Sequence, residues 1–286
     1  MIETIFAQNG SPSLPGRALA GLVLAIAAAL LARRLRSLSG SGAVAAAACG
    51  TLCVIAGWSW AGLLIAYFAA ASVLSWAGKE EKEERAGAVV AKGGRRDAMQ
   101  VVANGGVYSL VAALTAVIPA SYIIWGAVGA LAAASSDSWA TEIGVWVGGE
   151  PRLITNGTIV RSGTSGGVTA AGFLGSLAGA AWVALCAMLF GFRGHGVVIA
   201  ALIGGFGGSI VDSLLGATIQ ERRWCDRCAE PTERTVHRCG ATTRLVGGII
   251  RIDNDVVNLI STIAGFLLGV IIYCIAGNAG SWGAIG

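Results

Sequence analysis

Charge is what this sequence has least of. Asp, Glu, Lys and Arg make up 13% of its 286 residues, about half the share of a soluble domain, where roughly a quarter of residues are charged. With 55% hydrophobic residues and a mean hydropathy of +0.71, that shortage excludes an ordinary soluble domain and implies an integral membrane protein. Three further absences narrow the class. No series of alternating strands about ten residues long recurs, which excludes an outer-membrane type of β-barrel. The basic cluster Arg33, Arg34 and Arg36 follows the first apolar run, where a signal peptide would carry its charges ahead of it, so the first helix is expected to be retained. No Gly-Lys-Ser/Thr stands at the required spacing after a glycine-rich turn, so there is no Walker motif.

What the chain has in quantity is small residues. Its 43 glycines and many alanines suit helices that approach closely in lipid, where there is little hydrophobic drive between them. Apolar runs of roughly 17–25 residues predict eight spans near 14–32, 41–57, 59–77, 98–118, 122–147, 166–190, 197–220 and 255–276. The expected fold is an all-α polytopic bundle forming one membrane domain over 1–286. The second and third spans are separated only by "GWS" and form either a hairpin or two irregular segments. Eighteen of the twenty Lys and Arg residues fall on one side of this arrangement, leaving Arg17 and Arg193 on the other. The positive-inside rule makes the basic side cytoplasmic. Both termini are then non-cytoplasmic, with cytoplasmic loops at 78–97, 148–165 and 221–253. The expected location is the plasma membrane of a prokaryote or its equivalent.

Ionisable residues inside spans are costly and mark function by default. Asn104 lies six residues into the fourth span, Asp137 and Glu142 lie in the fifth, Asp212 near the end of the seventh and Asn258 near the start of the eighth. At ~1.5 Å per residue, four helices bring Asn104, Glu142, Asp212 and Asn258 to one layer roughly 8–12 Å below the basic surface. Asp137 lies deeper if its helix is regular, although "SSDSW" is a candidate break or bend. For each residue the plain alternative is an interhelical hydrogen bond or a pair with Arg. Oxygen ligands under basic loops suit Mg²⁺ and phosphate. The loop "ITNGTIVRSGTSGGVTAAG" carries Arg161, Gly163, Thr164, Gly166 and Gly167 into the start of the sixth span, where free N–H groups favour an anion. A flexible connector is the alternative reading.

Two charged stretches complete the pattern. In "GKEEKEERAGAVVAKGGRRD" the first half reads as a solvated helical extension laced by i,i+4 pairs. Lys92, Arg95 and Arg96 in the second half suit either phosphate or anionic lipid. In "WCDRCAEPTERTVHRCG" Cys225, Cys228, His237 and Cys239 could close a tetrahedral Zn²⁺ site, with unliganded thiols the rival. Cys49, Cys53, Cys186 and Cys274 lie in spans and read as packing residues. In "RIDNDVVNLIST", Asp253 and Asp255 are N-cap candidates, and Asp255 is also a possible metal or nucleotide ligand.

The stretches "KGGRRDAMQVVANGG", "SSDSWATEIG", "GTSGGVTAAG", "DSLLGATIQ", "HRCG" and "NDVVN", in this order, resemble a membrane family that groups plant and cyanobacterial phytyl-phosphate kinases with animal transmembrane protein nineteen. The resemblance covers nearly the whole chain from the second span onward. It implies phosphoryl transfer from a nucleoside triphosphate, CTP or ATP, to an isoprenoid monophosphate, giving the diphosphate. It also implies roles for Lys92, Arg95, Asp97, Gln100 and Asn104, for Asp137 and Glu142, for the 163–167 loop, and for Asp212, Gln220, Asn254, Asp255 and Asn258. The family more often has Asn at the position of Asp253. The expected metal ligands are Asp137, Asp212 and Glu142 for Mg²⁺, with Lys92, Arg95 and Arg161 on the phosphates. Nucleic acid is not an expected partner, and glycine-rich faces permit a homodimer. Two other classes share the intramembrane acids: a transporter, and a lipid cytidylyltransferase or phosphotransferase.

Overall fold

The computed structural model describes residues 14–278 apart from 88, 91–93 and 119. Lys92 lies outside the described residues. The chain forms helices α1 (Leu14–Arg34), α2 (Gly40–Ala56), α3 (Trp58–Trp76), α4 (Lys79–Ala86), α5 (Ala98–Thr115) and α6 (Ser121–Val147). There follow strands β1 (Arg152–Leu153) and β2 (Gly167–Val168), helices α7 (Ala170–Leu189) and α8 (His195–Thr218), strands β3 (Arg222–Cys225), β4 (Glu230–Thr232) and β5 (Arg244–Gly247), and helix α9 (Asn254–Asn278).

Six helices, α1, α3, α5, α7, α8 and α9, are long and apolar enough to cross a membrane. The α2 helix is apolar but has 17 residues, and α6 is long but carries Asp137 and Glu142. The second and third predicted spans are two helices meeting at Gly57, whose φ of 146° permits the sharp turn. The apolar surface of the bundle faces outward along α1, where Leu19, Val23 and Leu31 are exposed. An envelope of this kind is stable only against lipid.

Helix starts follow the local chemistry. Ser39 caps α2 by accepting from the Gly42 N–H at 3.1 Å. Asp97 and Gln100 form a capping box at α5, at 3.0 and 3.1 Å. Thr169 caps α7 through the Gly172 N–H at 2.9 Å. The Asp253 carboxylate accepts from the N–H groups of Asp255 and Val256, both at 3.1 Å, at the start of α9.

The bundle is organised around α6, which is buried continuously from Gly126 to Ser136. Glycines let other backbones touch it. A Cβ added at Gly129 would stand 2.4 Å from Gly265 O, one at Gly265 2.6 Å from Gly129 O, and one at Gly204 2.8 Å from Gly129 Cα. The three helices α6, α8 and α9 therefore meet backbone to backbone at one level. On another side α7 meets α6 in the same way, since a Cβ at Gly179 would stand 2.7 Å from Ser135 O. The expected break at "SSDSW" does not occur, because α6 runs through it unbroken. Close packing encloses Ser135 and Ser136, and the helix keeps its regular backbone even though Asp137 and Ser138, the next two residues, line a cavity.

The loops at the basic end carry two small sheets. Strands β1 and β2 pair antiparallel, with Arg152 opposite Val168. The second sheet has the order β4-β3-β5, antiparallel throughout. Helix α4 is the largely solvated extension expected, with Lys79, Glu80, Glu81, Glu83, Glu84 and Arg85 exposed, but one side of it lies against the end of α6. Lys82 forms an ion pair with Glu142 and donates to Leu74 O at 2.7 Å, and Arg85 donates to Val145 O at 2.9 Å. The Lys82 side chain is only 11% exposed.

Two stability predictions follow from this packing. Gly129→Val should lower the unfolding midpoint in detergent, costing about 1–3 kcal/mol or more by overpacking. Gly40→Ala, at a position with open space around it, should be neutral, and equal midpoints for the two variants would contradict the close contact. Lys82→Met leaves the Glu142 carboxylate without its partner and should cost roughly 3 kcal/mol. Adding Glu142→Gln should recover much of that loss, whereas a double variant no more stable than Lys82→Met would show the pair to be idle.

Candidate functional site

A cavity of about 1070 Å³ opens at the basic end of the bundle. Its floor comes from the ends of α5, α6, α7, α8 and α9, and its walls from α4, the 162–169 loop and the chain between α8 and α9. Asn104, Asp137, Glu142, Asp212 and Asn258, predicted from four separate helices, all line it. Gln100, Gly163, Thr164, Gly166, Gly167, Asn254 and Asp255 line it as well.

The deepest part holds the acids. Asp137 lies ten residues before the end of α6, which is about 15 Å along the axis. Asp137 and Asp212 face each other closely enough to interact directly. Beside them Asp212 Oδ2, Asn258 Oδ1 and Ser176 Oγ are buried with no hydrogen-bond partner. Asn258 Oδ1, an amide carbonyl, can only accept, and Asp212 Oδ2 can only accept once its carboxyl is ionised. Buried acceptors left this way are costly unless a cation meets them, and the donor set of hard oxygens suits Mg²⁺. Glu142 lines the same cavity nearer the mouth, with its carboxylate held by Lys82.

The glycine-rich loop forms a wall of exposed backbone. Gly163 and Gly166 have φ of 83° and 76°. A Cβ at Gly166 would stand 2.4 Å from the backbone nitrogen of Ala217, and one at Gly163 2.8 Å from Ala86 Cβ. Both positions thus require glycine in conformation and in space. The loop leads through Thr169 into α7, so the N-terminus of that helix faces the cavity along with Gly172.

The cations differ from those expected. Arg95 is exposed and is not among the lining residues. Arg161 turns away to pair with Glu230 at 3.1 Å. Asp97 is used by the capping box of α5. Lys82, Arg96, Arg234, Arg238 and Arg251 line the cavity in their place. Arg96 is also a clasp, donating to Ser72 Oγ at 3.3 Å and to Ala71 O at 3.2 Å while stacking over Phe68. The sequence held a signal for the α4 wall. Lys79, Lys82, Glu83, Ala86, Gly87 and Val90 recur at helical spacing and all face the cavity.

On the outer rim the ligand atoms of Cys225, Cys228, His237 and Cys239 all lie within 4.8 Å of one another. Cys228 is pushed up to about 11 by hydrogen bonding to Cys239, with burial and the other thiols adding to it. Cys239 is drawn down to about 6, first by the His237 ring and then by the backbone at Ala241. Next to this cluster Glu233 bonds Ser165 of the glycine loop and accepts from Gln220 Nε2 at 3.0 Å. Burial pushes the Glu221 carboxyl up, but the Arg251 N–H and the Arg223 guanidinium outweigh it and hold the group below its ordinary value.

Known proteins share this chain's length and pattern. Protein PGR of Arabidopsis thaliana is 31% identical over 251 residues, covering 79% of this chain and 85% of its own. An uncharacterized membrane protein of Methanocaldococcus jannaschii is 29% identical over 247 residues, covering 86% and 90%. One from Synechocystis is 30% identical over 169 residues, covering 58% and 65%. No solved structure matches. Residues 23–266, which include every residue that lines the cavity, match the family described as integral membrane protein DUF92, and the chain belongs to that family.

Proposed function

We propose that this protein is a membrane kinase that transfers the γ-phosphoryl group of a nucleoside triphosphate to an isoprenoid monophosphate. The observation that carries the reading is the group of Asp137, Asp212 and Asn258, with Asp212 Oδ2 and Asn258 Oδ1 buried and unpartnered, in one cavity with a glycine-rich loop, a helix N-terminus and lysine and arginine. Anion-binding backbone above and acceptor oxygens below are what a metal-bound polyphosphate requires. In this reading the chain crosses the bilayer eight times, with α2 and α6 as the additional spans. The basic end lies in the cytoplasm, and both termini lie on the far side.

The acceptor phosphate is already an anionic nucleophile. One of its oxygens forms a bond to the γ-phosphorus while the bond from that phosphorus to the β–γ bridging oxygen breaks. The nucleoside diphosphate leaves with the electron pair. Little general-base help is needed, so positioning and charge neutralisation supply most of the catalysis. Asp137, Asp212 and Asn258 would hold Mg²⁺, which offsets charge on the phosphate oxygens when bound. The backbone N–H groups of Gly163, Ser165 and Gly166 and of Ala170 and Ala171 at the start of α7 hold phosphate oxygens, as do Arg234 and Arg251; Thr164 and Gly167 bond within the loop. Lys82, fixed by Glu142, sets the α4 wall against the phosphates. The isoprenoid tail runs past Phe173 and Ile210, apolar lining residues of α7 and α8.

The test is an assay of detergent-purified protein with Mg²⁺, γ-labelled CTP or ATP, and phytyl, geranylgeranyl and farnesyl monophosphates. Label should appear in a prenyl diphosphate. Folded protein that labels no lipid would overturn the kinase reading and favour a transporter or a cytidylyl-transferring enzyme. Asp212→Asn should reduce transfer by about 100-fold or more while leaving the unfolding midpoint unchanged or raised, because a buried acid is removed. Near-normal turnover in this variant would take Asp212 out of the site.

A further inference from the structure

The rim cluster lies outside the transfer chemistry and has a geometry of its own. Cys225 ends β3 and Glu230, its register partner, starts β4, so Cys225 and Cys228 sit on one tight turn. His237 and Cys239 sit on a second turn, closed by the Val236 and Thr242 bridge and by the His237 N–H bond to Ala241 O at 2.9 Å. The two turns face each other. Cys225 Sγ and Cys239 Sγ are 3.6 Å apart, and His237 Nδ1 is 3.3 Å from Cys239 Sγ.

A tetrahedral zinc with bonds of about 2.3 Å to sulfur and 2.0–2.1 Å to nitrogen has ligand–ligand edges of roughly 3.5–3.8 Å. The Cys225–Cys239 and His237–Cys239 separations are close to such edges, and all four ligand atoms lie within 4.8 Å of one another, a spread that one ion can draw together. A disulfide would need its sulfurs near 2.05 Å, and the four cysteines and histidines of a polynuclear cluster would stand farther apart. The ligand set is Cys₃His, a common structural zinc set. The other ring nitrogen, His237 Nε2, is 3.1 Å from Glu230 Oε1. Nε2 makes no hydrogen bond as it stands, and a small turn of the ring toward Glu230 would give the bond by which outer-shell carboxylates orient zinc histidines, leaving the Nδ1 lone pair directed inward. Glu230 Oε2 in turn meets Arg161 Nη1 at 3.1 Å.

We propose that Cys225, Cys228, His237 and Cys239 bind one structural zinc ion, that Glu230 orients His237, and that Arg161 ties this centre to the glycine-rich loop. The segment 222–247 has only short strands and little apolar burial of its own, so a metal supplies the order that a core would otherwise give. Through Glu230–Arg161 and Glu233–Ser165, that order reaches the loop bounding the cavity.

The experiment measures metal directly and needs no substrate, so its outcome is independent of the kinase reading. Detergent-purified wild-type protein should carry about one zinc per chain by elemental analysis. Cys225→Ser with Cys228→Ser should carry almost none. Because that variant could fail to fold, wild-type protein is also stripped with a chelator and refilled with Co²⁺, which should give the intense visible and thiolate charge-transfer bands of a tetrahedral sulfur-rich site. Glu230→Gln should weaken zinc affinity by about 10–100-fold, read by competition with a chromogenic chelator. In stripped protein, trypsin should cut faster within 222–247, at Arg227 or Arg238. Folded wild-type protein with no zinc and no Co²⁺ spectrum would overturn the site, and unchanged affinity in Glu230→Gln would overturn the role of Glu230.

Discussion

The structure depends on one contact, the meeting of α6, α8 and α9 at Gly129, Gly204 and Gly265, where backbone lies on backbone. In lipid, apolar surface gains little by being buried against other apolar surface, so helices associate through close packing and polar bonds. A residue with any side chain at these three positions would separate the helices by the width of that side chain. Asp137, Asp212 and Asn258 come from the same three helices, one to three turns nearer the basic end. The glycine contact thus sets the distance between the acids. The polar site exists because the apolar packing below it is tight.

The same cause explains which features were legible in the sequence. The helices were legible, since hydropathy is a local property: observed ends lie within about four residues of those expected, and among the described residues six of the eight are long and apolar enough to cross a membrane. The convergence of Asn104, Asp137, Glu142, Asp212 and Asn258 was legible too, because depth along a helix can be counted and sidedness follows from the Lys and Arg distribution. Ionic partners were not legible. Lys82 and Glu142 are sixty residues apart, and nothing in "KEEKEER" shows which of its charges faces α6. Local rules favoured a solvated helix there, while the third dimension supplied a carboxylate. Arg161 shows the converse: its place in a phosphate-like loop pointed inward, but Glu230 draws it to the rim. At 135–136 the serines suggested a broken helix, yet α6 stays regular because its neighbours enclose it.

The two ends of the cavity divide the labour. The floor is made of helix ends and is fixed by membrane packing. The walls are made of loops with strands of two to four residues, too short to be stable alone. Their order comes from specific ties: Arg238 to Glu83 at 2.5 Å, Arg234 to Val90 O at 3.1 Å, and Glu233 to Ser165. Most of these ties join the 222–247 segment to α4 or to the glycine loop. Movement of that segment therefore changes the shape of the mouth while the acids below stay in place. In the kinase reading, a floor fixed by helix packing and walls built from loops suit two phosphorylated substrates that must be held in line.

The arrangement also weighs against alternating access. A transporter needs its polar site near the midplane and an exit on either side. Here the acids lie toward the basic end, and the next layer inward is Gly129, Ala132, Ala133, Gly204 and Gly265, buried small residues in mutual contact. To open a path through that layer, α6 would have to separate from α8 and α9. That would break the contacts that hold Asp137 beside Asp212, so the site would be dismantled by the motion meant to expose it. A reaction served from one face needs no such motion. In the kinase reading, a lipid substrate brings its phosphate to the same surface where a soluble nucleotide arrives.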